Sequence, residues 1–116
     1  MLDSAVAELS TRREVDIHVH GGFGRPPKPI DPQAEKLFGL VKECGKDLGL
    51  DIAWKSTGGV CDGNNIAACG VPVVDTMGVR GGAIHSADEF LLVDSLPERA
   101  QLSALVLMRL AERGKL

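Results

Sequence analysis

Residues 21–32 read GGFGRPPKPIDP, three glycines and four prolines in twelve positions. Such a run admits neither a helix nor a paired strand. Proline fixes φ and removes the backbone donor, and glycine makes any regular conformation entropically costly. The chain of 116 residues is thereby divided into a short first piece and a long second one. One helix and one strand cannot enclose a core, so residues 1–22 are expected to be the end of one domain. Residues 23–31 are then a Gly/Pro-rich linker, and residues 32–116 belong to a second domain.

Before the linker, Leu2, Ala5, Val6 and Leu9 recur at helical spacing and predict a helix over about residues 2–12. EVDIHVH alternates Val15, Ile17 and Val19 with Asp16, His18 and His20, the pattern of a half-buried strand. After the linker, Asp31 is a good N-cap and Pro32 suits the first helical position. Ala34, Leu37, Phe38, Val41 and Leu48 continue the apolar face of a helix over about 32–48, which Gly49 ends. LDIAWKS reads as a short strand and TGGVCDGNN as a glycine-rich turn into a short helix near Asn64–Cys69. GVPVVDTMG reads as a buried apolar strand, VRGGAIHSADE as a flexible loop, and FLLV as a brief extended piece. Ser95 with Glu98 three residues on predicts a capping box opening a helix over about 96–113. That helix carries Leu102, Leu105, Val106, Leu107, Met108 and Leu110, apolar nearly all round, so much of it is expected to be buried. Helices alternating with strands give the fold class α/β.

Composition narrows the function. Apolar residues at 44% suit a folded chain, and a net charge of −3 with no basic stripe argues against a nucleic-acid partner. No apolar run approaches the ~18 residues that span a bilayer, and MLDSAVAELSTRR is not a signal peptide. Cys44, Cys61 and Cys69 are odd in number and form no CxxC, which suggests reduced thiols and a cytoplasmic location.

Several residues could carry chemistry, and each has an ordinary reading beside the functional one. His18 and His20 share a strand face and could grip a metal, or be a solvated polar face. Gly58, Gly59, Asp62 and Gly63 lie between a strand and a helix, where backbone N–H groups can hold an anion; a plain turn looks the same. Arg25, stiffened by two following prolines, suits bidentate carboxylate recognition, or is a linker arginine. His85 could be a metal ligand on an open loop, or bond to Ser86 or Asp88. Cys61 beside Asp62 could be a nucleophile, though no base is placed for it by spacing.

Together the pieces have a recognisable order. GRPP, a helix, STGGVCDGNN, GVPVVDTMG, GGAIHSADEF and a long last helix resemble the C-terminal part of the dizinc carboxypeptidase and deacetylase family. That family includes glutamate carboxypeptidase, acetylornithine deacetylase, succinyl-diaminopimelate desuccinylase and aminoacylase, and the glutamate carboxypeptidase branch looks closest. The resemblance implies an α/β catalytic domain with two bridged zinc ions and a smaller α+β lid domain that often mediates dimerisation. It makes residues 1–22 the last helix and strand of the lid. Carried over residue by residue, His85 is the last zinc ligand and Arg25 the lid arginine that binds the substrate carboxylate. Gly58 and Gly59 form the turn along the substrate, and Asp62 is the acid after it. Val60 departs from the pattern, since close relatives often carry a third glycine there.

The resemblance also implies that the first histidine, the bridging aspartate, the adjacent glutamate pair and the remaining acid precede Met1. This chain is then expected to be a fragment, inactive and binding no zinc stably by itself. Its partners would be the missing N-terminal part, a small peptide or N-acyl amino acid with a free carboxylate, and a second copy of itself. Two other readings stay open: a non-catalytic binding or assembly module pairing through DIHVH, and an unrelated small α/β protein.

Overall fold

The computed structural model describes residues 2–11 and 15–116. Its elements are helix α1 (Leu2–Leu9), α2 (Pro32–Asp47), α3 (Asp62–Ala68), strand β1 (Gly81–Gly82), β2 (Phe90–Leu91) and helix α4 (Ser95–Arg113).

The helices form where local signals are strong. Asp31 caps α2: its Oδ1 accepts from the N–H groups of Gln33 at 2.9 Å and Ala34 at 2.8 Å, with Pro32 in the first turn. Gly49, at φ +74°, ends it. Gly49 N–H donates to Lys46 O at 3.0 Å and Leu50 N–H to Gly45 O at 2.8 Å, the paired bonds of a Schellman motif.

The core is one helix pair. Leu40, Val41 and Cys44 of α2 are buried against Leu102 and Val106 of α4, with Leu50, Ile52, Val74, Met77, Leu105 and Leu110 packed around them. Arg109 of α4 bonds to Glu43 at 3.2 Å and also to Asp47, and Arg113 reaches Glu43 at 3.0 Å, so two arginines cross-link the pair at one end.

Residues 50–56 lie across α2. Gly45 has no side chain there, and a Cβ would fall 2.4 Å from Ile52 Cγ1. Phe38 and Trp54 add an aromatic contact, ring centroids 5.2 Å apart.

The described residues contain one sheet, two antiparallel strands pairing Gly81 with Leu91 and Gly82 with Phe90. This corrects the expected strands at 15–20, 50–56 and 70–78, none of which joins a ladder; Glu14 lies outside the described residues. The physical reason is that a strand is completed by its neighbours. Leu50 and Ile52 do turn inward with Asp51 outward, the period-two pattern of a strand, yet no other strand among the described residues pairs with them. The N-terminal helix closes at Leu9, with Ser10 and Thr11 in a turn, and buries no residue; Arg12, to which it was expected to extend, lies outside the described residues.

The start of α4 also differs from expectation. Asp94 is its N-cap and makes no side-chain cap bond. Ser95 instead is fully buried, its Oγ accepting from Arg80 N–H at 2.9 Å and donating to Leu92 O at 2.6 Å. Glu98 pairs with Arg80 at 3.2 Å rather than reaching back to the helix N-terminus. No helix among the described residues is long and apolar enough to cross a membrane.

The molecule measures 64 × 37 × 18 Å with a radius of gyration of 20.2 Å. A closed domain of this length has about 13 Å. Its accessible surface is 9210 Å², against about 6,100 Å² for a folded monomer of this mass.

Candidate functional site

The Pro-rich segment crosses the head of α3, and there the structure unites residues far apart in sequence. Arg25 Nη2 lies 3.1 Å from Asp62 Oδ1. The next carbonyl, of Pro26, accepts from the buried side chain of Asn64 at 3.0 Å. Asn64 Oδ1 also accepts from Cys61 N–H at 3.1 Å, which fixes the turn into α3. Lys28 is hydrogen-bonded to Asp75, and both are largely shielded from solvent. Asp75 sits directly on Gly63, where a Cβ would approach Asp75 Oδ1 to 2.2 Å.

Of the predicted residues, Arg25 and Asp62 therefore meet. Gly58 and Gly59 precede α3 on an exposed stretch, with Val60 also exposed. The anion-cradle reading of this turn is altered by the chain's own Asp62, whose carboxylate occupies the first turn of the seven-residue α3. Cys61 is exposed; its thiol lies 3.8 Å from the Asn64 carboxamide oxygen and also faces the Asp75 carboxylate. His18 and His20 stack with centroids 6.3 Å apart, and His18 contacts Asp16 at 3.1 Å on an exposed segment.

Sequence reading missed Lys28, Asn64 and Asp75. Lys28 and Asp75 lie 47 residues apart, a separation at which spacing carries no signal. The Lys28 hydrogen bond holds the Asp75 carboxyl below the usual carboxylate range. Partial desolvation pushes the other way, and a hydrogen bond from Cys61 helps to lower it.

His85 occupies the connection between β1 and β2. The glycines before it, expected to belong to a flexible loop, are paired with Leu91 and Phe90. A Cβ on Gly81 would meet Phe90 O at 2.2 Å, and one on Gly82 would meet the Phe90 ring at 2.9 Å. The connection is ordered by its own bonds. Ser86 Oγ donates to Ala83 O at 2.7 Å and accepts from Asp88 N–H at 3.2 Å, and His85 N–H donates to Glu89 Oε2 at 3.4 Å. Ala83 at φ +52° and His85 at φ +66° are both left-handed. The imidazole is exposed.

One imidazole does not make a zinc site, which needs three or four ligands. No group of three or more His, Cys, Asp or Glu among the described residues could hold a metal ion. The residues present therefore do not by themselves fit the two-zinc centre that the resemblance implies, though an exposed histidine can serve as one ligand of a larger set.

Comparison with known proteins bears on the same residues. The model of peptidase family M20/M25/M40 matches residues 6–109. A succinyl-diaminopimelate desuccinylase of Psychrobacter sp. (strain PRwf-1) is 32% identical over 103 residues, covering 88% of this chain and 24% of that protein. Another, from Psychrobacter arcticus, is 40% identical over 76 residues, covering 65% of this chain and 18% of that protein. Carboxypeptidase G2 of Pseudomonas sp. (strain RS-16) is 30% identical over 119 residues, covering 93% of this chain and 28% of that protein. The chain thus spans about a quarter of the length of these relatives. No solved structure matches it.

Proposed function

This chain belongs to peptidase family M20/M25/M40, and on that premise we propose that it supplies the carboxylate-binding arm and one metal ligand of a zinc-dependent hydrolase. The reaction is cleavage of an amide bond in a small peptide or N-acyl amino acid that keeps a free carboxylate. The single observation that carries this reading is the meeting of Arg25 with a carboxylate, that of Asp62, at 3.1 Å beside the glycine turn. A guanidinium that bonds through Nη2 to an internal carboxylate in an exposed setting has further N–H groups with which to bind an external one in the paired mode. Gly58 and Gly59 would lie along the substrate, and His85 would complete one zinc shell. Zinc, when bound, supplies a polarising Lewis acid.

In this proposal the other ligands and the general base reside in the parts of the family's length that this chain does not span. The 116-residue chain is then inactive alone. Residues 1–22 end a lid domain, 23–31 link it, and 32–116 complete the catalytic domain, with the assembled enzyme dimeric and cytoplasmic. The excess accessible surface supports the reading, because a piece of a larger domain leaves uncovered what the rest would cover. An assembly module without catalysis would share that surface, and the same experiment separates the two.

The test is a chimera in which residues 1–116 replace the matching segment of carboxypeptidase G2. Zinc-dependent hydrolysis by the chimera is expected, lost by at least about 100-fold in His85→Ala. Hydrolysis by the 116-residue chain alone, or a folded chimera indifferent to His85→Ala, would overturn the proposal.

A further inference from the structure

The contacts that fasten the Pro-rich segment to α3 differ in how firmly they can hold. In the Arg25–Asp62 pair, 43% of one side chain and 86% of the other face solvent. In the Lys28–Asp75 pair the figures are 22% and 27%. Water screens the first pair and competes for both partners, so it exchanges readily; the second is shielded and holds more firmly. Between the two lie Pro26 and Pro27, whose fixed φ transmits the position of Lys28 to Arg25 with little slack. The Pro26 carbonyl is itself held by Asn64, which is 5% exposed. On the other side, the Asp75 carboxylate rests against Gly63, in space that a Cβ at residue 63 would occupy.

We propose that Lys28 and Asp75 are positioning residues that hold Arg25 at the head of α3, and that Asp62 is an internal counter-ion displaced from Arg25 by the ligand carboxylate. This rests on the reading of Arg25 as a carboxylate receptor. The anchored pair fixes where the guanidinium stands, and the exposed pair gives it a readily exchanged counter-charge until a ligand arrives. Exchange of one carboxylate for another keeps the guanidinium paired with a carboxylate throughout.

The test follows the Arg25 Nε–Hε resonance by NMR in the 116-residue chain, with N-acetyl-L-alanine as the probe. In the unaltered chain the probe is expected to move that resonance. Asp62→Asn should tighten the apparent Kd several-fold by removing the internal competitor. Asp75→Asn and Lys28→Met should weaken it several-fold and shift the Arg25 signal toward that of an unanchored arginine. The amides of Leu40 and Val106 report that the core is intact, and the charge-reversed double variant Lys28→Asp with Asp75→Lys should recover part of the affinity. If Arg25 and the probe's affinity are unchanged in Asp75→Asn and Lys28→Met, the positioning role is overturned although the carboxylate reading stands. If Asp62→Asn binds no tighter, Asp62 is not the competitor. If the probe leaves Arg25 unmoved in the unaltered chain while Asp75→Asn shifts its resonance, the carboxylate reading falls and the positioning role survives.

Discussion

His85 holds a backbone conformation that its side chain disfavours. At φ +66° an L-residue other than glycine crowds its own carbonyl. The surrounding bonds of Ser86, Asp88 and Glu89 over-determine the turn and keep the histidine there. Replacing His85 with Gly should therefore raise the stability of the chain by about 1 kcal/mol, read from the urea midpoint. The same change in the chimera should abolish hydrolysis. Opposite signs for stability and activity would mark a residue kept for chemistry. Asp75 supplies a pH dependence with a definite sign. Its folded-state pKa is lowered, by Lys28 first. The stabilisation is therefore fully present above the unfolded carboxylate value of about 4 and is lost as pH falls through the lower folded value. Urea midpoints of the chain and of Asp75→Asn should differ at pH 7 and converge under strong acid. A gap that persists unchanged at pH 2 would assign the effect to packing on Gly63 instead.

Helix α2 carries two interior glycines with opposite expectations. Gly39 is exposed, and a Cβ there meets nothing within 4 Å. Gly39→Ala should stabilise by about 0.5–1 kcal/mol through helix propensity alone. Gly45 is buried, and a Cβ there would overlap Ile52 Cγ1 at 2.4 Å, so Gly45→Ala should destabilise by about 1–3 kcal/mol from overpacking. Thermal unfolding of the two variants checks both signs. This contrast also shows what was legible in the sequence. Helix α2 was, because the Asp31 cap, Pro32, the apolar face and Gly49 all act within a turn or two. The long last helix was, through its apolar content. The pairing of 50–56 and 70–78 was not, because strand formation is settled by a neighbour rather than by the segment. Ser95 was misread as a cap because its hydroxyl is claimed by Arg80, 15 residues earlier. Arg25 was legible as a candidate from GRPP, whereas Lys28 and Asp75 became visible only when the fold closed 47 residues.

On the scale of the whole molecule, the surface sets the behaviour. The chain exposes about 3,000 Å² more than a closed monomer of its mass, several times the ~800 Å² that one partner contributes to a standard interface. Much of it is apolar. On α4, Leu96 and Leu107 lie eleven residues apart, three turns along the same face, and are 49% and 66% exposed, with Met108 beside them at 60%. Helix α4 was expected to be buried on most sides, yet only Ser95, Leu102 and Val106 are buried. At concentrations where encounters are frequent, these faces should cover one another, so the isolated chain should self-associate. Sedimentation velocity should show the weight-average mass rising with concentration from micromolar to submillimolar. Leu107→Lys with Met108→Lys leaves the Leu102–Val106 seam untouched and should shift the distribution strongly toward monomer. It should do so without lowering the thermal midpoint by more than about 0.5 kcal/mol equivalent, as expected for surface positions. In the chimera with carboxypeptidase G2 the same double change should cost activity or solubility, because there the α4 face would be covered by the rest of the catalytic domain. A clean monomer at every concentration, with or without the lysines, would show that the apolar face of α4 finds its cover within the chain.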